Sequence, residues 1–317
     1  MSRKFILSID GGGIRGVIPL CALVELEAQL RTPAREVFSF MSGTSTGSII
    51  CAGLALGMPA ATCLDLYRAL GNEVFRFDLP GFLLSLGSFK YRSKGLHDAL
   101  VRELGNPVLN ELPVDVMLTA MRVHDGRPFY FVKDDPGNSG TTGSLRLADC
   151  VAASSAAPTF FEPWDVPGIG ACVDGGVTIA GNPCYQSCVE AFDYTAGSRY
   201  APADTTVIAL GTGHFPTRTS PDNLVDWVRY VIGQLLEEPA DQQTQLVQRH
   251  YCVQGTRLFR WNPELLREIG MDAVKEIEPL IDIGANAAAT LDWSSILAGN
   301  GVSARRLPTR FPRNKVD

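Results

Sequence analysis

Histidine is scarce in this chain: His97, His124, His214 and His250 are the only four in 317 residues. Serine or cysteine chemistry must find its base among very few imidazoles, or among carboxylates. Other absences narrow the field further. No Gly-Lys-Ser/Thr closes a glycine-rich loop, which excludes a Walker-type phosphate cradle. No apolar run approaches the roughly 18 residues of a membrane-spanning helix. The eight cysteines follow no zinc spacing, because Cys184 and Cys188 lack a second ligand pair. Buried thiols in a reducing compartment are expected instead, and no metal or cofactor is expected. Positive charge is in deficit, and a net charge of −6 argues against a broad nucleic-acid surface, so no DNA or RNA partner is expected. The apolar run 5–9 is too short for a signal-peptide core and ends in Asp10, so a non-secreted, cytoplasmic protein is expected. Neither an internal repeat nor a Gly/Ser-rich or Pro-rich linker divides the chain.

What is present is an alternation of apolar runs with glycine turns. Residues 5–9 read as a strand. Residues 17–30 carry Val17, Leu20, Leu23, Val24, Leu26 and Leu30 at helical spacing. A second strand is expected at 37–41, a buried helix at 46–56 and another helix at 60–77. Residues 114–123 and 128–132 read as a hairpin around His124-Asp125-Gly126. A polar loop at 134–144 precedes an alanine-rich helix at 147–157, stopped by Pro158. Strands are expected at 171–173 and 206–210. Helices are expected at 95–104, 222–237, 240–253 and 285–297, with a short strand near 257–261. Strands alternating with helices predict an α/β sheet, doubly wound or three-layered, with functional loops at the carboxyl ends of its strands.

Three motifs stand at such ends. Gly43-Thr44-Ser45-Thr46-Gly47 places a serine between strand and helix, where a tight elbow projects a nucleophile. The bland alternative is that Ser45 only caps the helix. Gly11-Gly12-Gly13-Ile14-Arg15-Gly16 fits two uses. It satisfies the dinucleotide fingerprint, but that fingerprint wants an acid at the end of the second strand, and Glu36 lies at the wrong end. The other use is backbone N–H groups aimed at an oxyanion. Asp174, followed by Gly175 and Gly176, is better placed as a general base than any histidine. His124 is in a turn, His97 and His250 are on helices, and only His214 follows a strand. Asp10 competes with Asp174, yet its neighbours suggest that it braces its own turn.

Five segments in order resemble the patatin-like phospholipase family. Residues 5–16 are similar to the family's opening strand and oxyanion loop. Residues 42–48 are similar to its nucleophile elbow, and residues 152–161 to the stretch before its aspartate. Residues 173–176 and 209–213 are also similar to family segments. The resemblance implies a three-layer patatin-like sandwich, with a mainly parallel central sheet and helices on both faces. It implies a single domain over 1–317, with a catalytic core at 4–215 and a mainly helical, family-variable region at 220–317. It implies Ser45 as nucleophile, Asp174 as base, and an oxyanion hole from Gly11, Gly12, Gly13, Ile14 and Arg15. Gly16, Gly43, Gly47, Gly175 and Gly176 are the motif glycines. Arg15 is also a candidate for meeting a lipid phosphate or forming a salt bridge on a helix surface.

The implied activity is metal-free hydrolysis of phospholipid acyl esters at a membrane surface. A non-lipid carboxylesterase and a nucleotide-binding protein are the alternatives. Bacterial members resembling antiviral effectors add a cyclic nucleotide activator and homo-oligomerisation on activation as expectations. Two further features are read as candidates. The apolar stretch 78–91 is either core loop or acyl-chain contact. Arg305, Arg306, Arg310, Arg313 and Lys315 form either a solvated tail or an anion contact.

Overall fold

The computed structural model describes residues 3–74, 91–135, 142–194, 199–215 and 239–299, with Asp222, Trp227 and Tyr230 described singly. Most of the 78–91 stretch, the middle of the 134–144 loop, most of the 222–237 helix and the Arg305–Lys315 cluster lie outside the described residues.

Eight strands share one sheet: β1 (Lys4–Ile9), β2 (Phe40–Thr44), β3 (Asp115–Arg122), β4 (Pro128–Val132), β5 (Trp164–Val166), β6 (Gly170–Asp174), β7 (Thr205–Leu210) and β8 (Arg257–Trp261). The order is β5-β6-β3-β2-β1-β7-β8, with β4 on the other edge of β3. Neighbours from β3 through β8 run parallel, whereas β4, β5 and β6 pair antiparallel.

The parallel strands are apolar because both of their faces are covered. Side chains alternate between those faces. Leu7, Ile9, Met41, Leu118, Ile208 and Leu210 enter one core cluster, with α1 (Val17–Leu30) and the helix Ile277–Ala288 packed there. Ile6, Phe40, Met117, Val207, Ala209 and Leu258 enter the other, beneath Cys184, Cys188, Val247 and Tyr251. The result is the three-layer α/β architecture with a mainly parallel sheet. Seven of the eight cysteines are buried as free thiols within it. Among the described residues, no helix is long and apolar enough to cross a membrane.

Local departures from the sequence reading have physical causes. The second strand begins at Phe40 rather than 37, because Pro33 starts a helical turn, α2 (Ala34–Val37), closed by Phe38 N–H on the Ala34 carbonyl. The helix expected at 285–297 is two helices, Ile277–Ala288 and Trp293–Ala298. Pro279 is tolerated in the first turn of the former, where its missing N–H has no intrahelical use. Asp292 caps the latter by accepting the Ser295 N–H at 3.0 Å. The described residues from 239 to 299 pack on the same sheet. That segment donates β8 to the sheet and lays Ile277–Ala288 along α1.

Candidate active site

Strand β2 ends at Thr44 and α3 (Thr46–Leu56) begins two residues later, so Ser45 alone turns the chain. It does so at φ 54°, ψ −121°. A side chain held at positive φ costs roughly 1–3 kcal/mol, and such strain is concentrated at functional sites. The turn is too tight for any other residue at its two glycines. A Cβ at Gly43 would overlap the Gly47 carbonyl, and one at Gly47 would overlap the carbonyls of Ile9 and Asp10. Ser45 is 8% exposed. Its side chain makes no capping bond to α3, so the bland capping role is not what holds it there.

Asp174 arrives by a different route. β4 covers one edge of β3 over the same residues that β2 and β6 meet, so β2 and β6 both lie on the opposite edge. β2 runs out at Thr44, opposite Thr119. Antiparallel β6 runs out at Asp174, opposite Ala120. The two strands meet end to end, and Ser45 and Asp174 stand at the junction.

Asp174 is 1% exposed. Its Oδ1 accepts the Gly176 N–H at 2.7 Å. Its Oδ2 is buried and has no hydrogen-bond partner among the described residues. Burial pushes the carboxyl up to about 6, and the Ser45 hydroxyl and the Gly176 N–H pull it back in smaller measure. The serine is close enough to stabilise the carboxylate but lies outside the geometry of a formed hydrogen bond. Resting catalytic pairs are often loose in this way.

One short segment fixes both residues. Ser154 Oγ accepts the Ser45 N–H at 3.0 Å, and Ser155 Oγ donates to the Ser45 carbonyl at 3.2 Å. The next carbonyl, of Ala156, accepts the Asp174 N–H at 3.0 Å. These serines end the helix Leu147–Ser154. The sequence reading missed their part. The available signal was a pair of hydroxyls ending an alanine-rich buried helix, where polar groups need partners.

The glycine loop lies against the serine. A Cβ at Gly11 would sit 3.4 Å from that of Ser45. Of the loop's N–H groups, three are already committed. Gly11 donates to the Gly181 carbonyl at 3.0 Å, Ile14 to Met271 at 2.8 Å, and Arg15 to Gly12 at 3.2 Å. Gly12 and Gly13 donate to no acceptor among the described residues. Gly16 closes the 3-10 turn Gly13–Gly16, from which α1 leaves.

Two charged residues brace this loop. Asp10 holds Arg260 in a bidentate pair at 2.9 and 2.5 Å. It is thus tied to a strand 250 residues later rather than bracing only its own turn. Arg260 shares a face of β8 with buried Leu258, and an arginine at such a position signals a buried acid. Arg15 is buried, not on a helix surface. Burial lowers its guanidinium to about 10, opposed by Glu268 and Asp10, so it stays cationic at neutral pH.

The histidines are occupied elsewhere. His97 Nε2 meets Asp149 at 3.0 Å and its ring stacks on Trp164. His250 Nδ1 pairs with the Tyr185 hydroxyl at 2.8 Å. His124 is in the hairpin turn, and His214 is exposed, its backbone paired with Pro263 and Leu265. None is a partner of Ser45 or Asp174. No group of His, Cys, Asp and Glu among the described residues could hold a metal ion.

The chain is similar to several other proteins. The chain is 28% identical over 221 residues to a cGAMP-activated phospholipase of Escherichia coli, covering 66% of this chain and 62% of that one. It is 27% identical over 283 residues to calcium-independent phospholipase A2-gamma of Rattus norvegicus, covering 84% and 36%. It is 32% identical over 248 residues to Patatin-like protein 2 of Arabidopsis thaliana, covering 66% and 60%. The match spans less than two thirds of each relative's length. The profile of the patatin-like phospholipases matches residues 7–186, more than half of the chain, and the chain belongs to that family.

Proposed function

We propose that this chain is a serine lipid acyl hydrolase that cleaves fatty-acyl esters of membrane phospholipids, with Ser45 as nucleophile and Asp174 as general base. The observation that carries the reading is the junction of β2 and β6, which sets a strained serine beside a buried, unshared carboxylate oxygen. Asp174 Oδ2 takes the hydroxyl proton as Ser45 Oγ attacks the ester carbonyl. The N–H groups of Gly12 and Gly13, which have no other acceptor, receive the tetrahedral oxyanion. The free N-terminus of α3 and the Arg15 cation favour the same charge. Collapse of the intermediate releases the lysolipid, with the Asp174 proton going to its leaving oxygen. Water then gives up a proton to Asp174 and attacks the acyl-enzyme, and as the fatty acid leaves, Asp174 returns that proton to Ser45 Oγ.

A mostly apolar cavity of about 60 Å³ next to the elbow supports an acyl substrate. Ile14 of the glycine loop and Ile49 and Ile50 of α3 line it, with Met58, Leu66 and Tyr67 opposite. We read residues 1–317 as one catalytic unit, because Arg260 and Met271 brace the loop of the 4–215 core. The E. coli relative's name supports one extension, activation by a cyclic nucleotide. To that reading we add assembly into a homo-oligomer and attack on the membrane surface from the cytoplasm, in antiviral defence.

The test is incubation with phospholipid liposomes and mass spectrometry of the products, with and without a panel of cyclic dinucleotides. Free fatty acid and lysolipid are expected from the parent and neither from Ser45→Ala or Asp174→Asn. A fluorophosphonate should label Ser45. Hydrolysis of short soluble esters but never of liposomes would make the chain a carboxylesterase on this scaffold. Turnover by Ser45→Ala would overturn the mechanism.

A further inference from the structure

The amino ends of the parallel strands, opposite the end that carries Ser45, border a second, open cavity of about 740 Å³. Arg3, Lys4, Arg35, Lys133 and Arg199 line it, faced by only two acids, Glu36 and Asp115. The chain as a whole has 34 acidic and 28 basic residues, so this concavity runs against the balance of the molecule. One of its acids is already committed. Asp115 receives Arg199 at 2.9 Å and the Tyr200 hydroxyl at 2.6 Å.

The other cations rest on neutral oxygens or on none. Arg3 donates to the carbonyls of Thr205 and Ala203, both at 3.2 Å. Lys133 donates to the Leu112 carbonyl, and neither it nor Lys4 has an ion-pair partner among the described residues. Burial holds the Lys133 ammonium below its ordinary range; Asp115 opposes this and neighbouring Arg199 adds to it. Arg199 is ion-paired, with Asp115 and Asp135, and Arg3 is drawn to Asp204, but Lys4 and Lys133 lack a counter-ion among the described residues, so the hollow gains from an anion.

We propose that this cavity binds a small phosphate-bearing ligand that acts as an effector of the enzyme. Its volume falls in the range of small-molecule sites. Guanidinium forks and ammonium groups converging from several segments match phosphate oxygens. The ligand is not the substrate. The five residues of β2 span roughly 17 Å, which separates the hollow from Ser45. Yet both catalytic turns are rooted there. β1 starts at Lys4 and ends one residue before Asp10, and β2 starts after Ser39 and ends before Ser45.

Binding can be measured apart from hydrolysis, so failure here and failure of the hydrolase reading are distinguishable. The full chain carrying Ser45→Ala is titrated calorimetrically with pyrophosphate and with a panel of cyclic dinucleotides. It is separately sedimented with phosphatidylglycerol vesicles. Saturable one-site binding of a small phosphate is expected, weakened about tenfold or more by Lys4→Ala with Lys133→Ala. Exposed Lys275→Ala, outside the cavity, should leave it unchanged. Pyrophosphate binding marks phosphate as the recognised group, and binding of a dinucleotide alone marks a nucleotide. If the double variant melts early, Lys4→Glu reverses charge at an exposed position and should weaken binding as well. No saturable binding at millimolar ligand, equal affinity in the cavity variants, or binding to vesicles alone would each overturn the proposal.

Discussion

Replacing Asp174 by asparagine should stabilise the fold at neutral and alkaline pH while abolishing turnover. The carboxyl is 1% exposed, and burial raises it from 3.8 to about 6. The native state therefore holds this proton more tightly than the unfolded chain does. Below pH 3.8 both states are protonated, and the group's contribution to stability is fully present. Between pH 3.8 and about 6 the unfolded chain releases the proton first, and stability falls as pH rises. Above about pH 6 the loss is complete. At about 1.4 kcal/mol per pH unit over that interval, it amounts to roughly 3 kcal/mol. Asparagine cannot ionise and escapes the loss.

Urea unfolding of parent and Asp174→Asn from pH 5 to pH 8 measures the effect as a difference, in which every other titrating group cancels. About half of the loss is already present at pH 5, so the gap should widen in the variant's favour by roughly 1–1.5 kcal/mol and level off near pH 7. An asparagine amide left without an acceptor would lower the whole curve, yet its pH dependence would survive. A gap that is constant with pH, or that narrows as pH rises, would refute a buried, raised carboxyl at this site.

Four further outcomes follow from the same geometry. The kcat/KM on a short-chain ester should fall about tenfold per pH unit below roughly pH 6 and stay level up to pH 8, because the base must be ionised; His214→Ala should leave that profile in place. Ser45→Gly should remove fluorophosphonate labelling and raise stability by about 1 kcal/mol, since glycine adopts φ 54° without strain; a less stable variant would argue against a strained elbow. Ser154→Ala leaves the buried Ser45 N–H without its acceptor, so thermal unfolding should show a loss of about 1–3 kcal/mol and labelling should slow. Arg260→Met removes the bidentate partner of buried Asp10, at a cost of about 3–5 kcal/mol in chemical denaturation, and adding Asp10→Asn should recover part of it.

The fold was legible where burial dictates composition. Strands covered on both faces read as short apolar runs, and β1, β4 and β7 stand within a residue of where the sequence puts them. Legibility failed where a local turn competed, as at Pro33-Ala34, and where a three-residue strand such as β5 carries too little pattern to see. The site was legible as a set of candidate residues but not as an arrangement. Nothing local to Ser45 or Asp174 says that they meet. That depends on β4 taking one edge of β3 and leaving the other to two strands in succession. Arg260 and the Ser154–Ala156 segment escaped for the same reason, because each acts through a partner about 20 to 250 residues away.

That arrangement also bears on the proposed dyad, in which a carboxylate stands where an imidazole is usual. An aspartate near its ordinary pKa of ~3.9 accepts a proton poorly at neutral pH. Raising it to about 6 strengthens it as a base by roughly a hundredfold, while leaving it mostly ionised at pH 7. The same rise requires that water be excluded and that few donors reach the carboxylate. The junction meets both conditions: Asp174 is 1% exposed, and among the described residues the Gly176 N–H on Oδ1 is the formed hydrogen bond to the carboxylate, with the Ser45 hydroxyl close by. The instability of the buried carboxylate and its strength as a base are one free energy, seen once in folding and once in the reaction. A substitution that lets water reach Asp174 should therefore strengthen the fold at this position and weaken the base together.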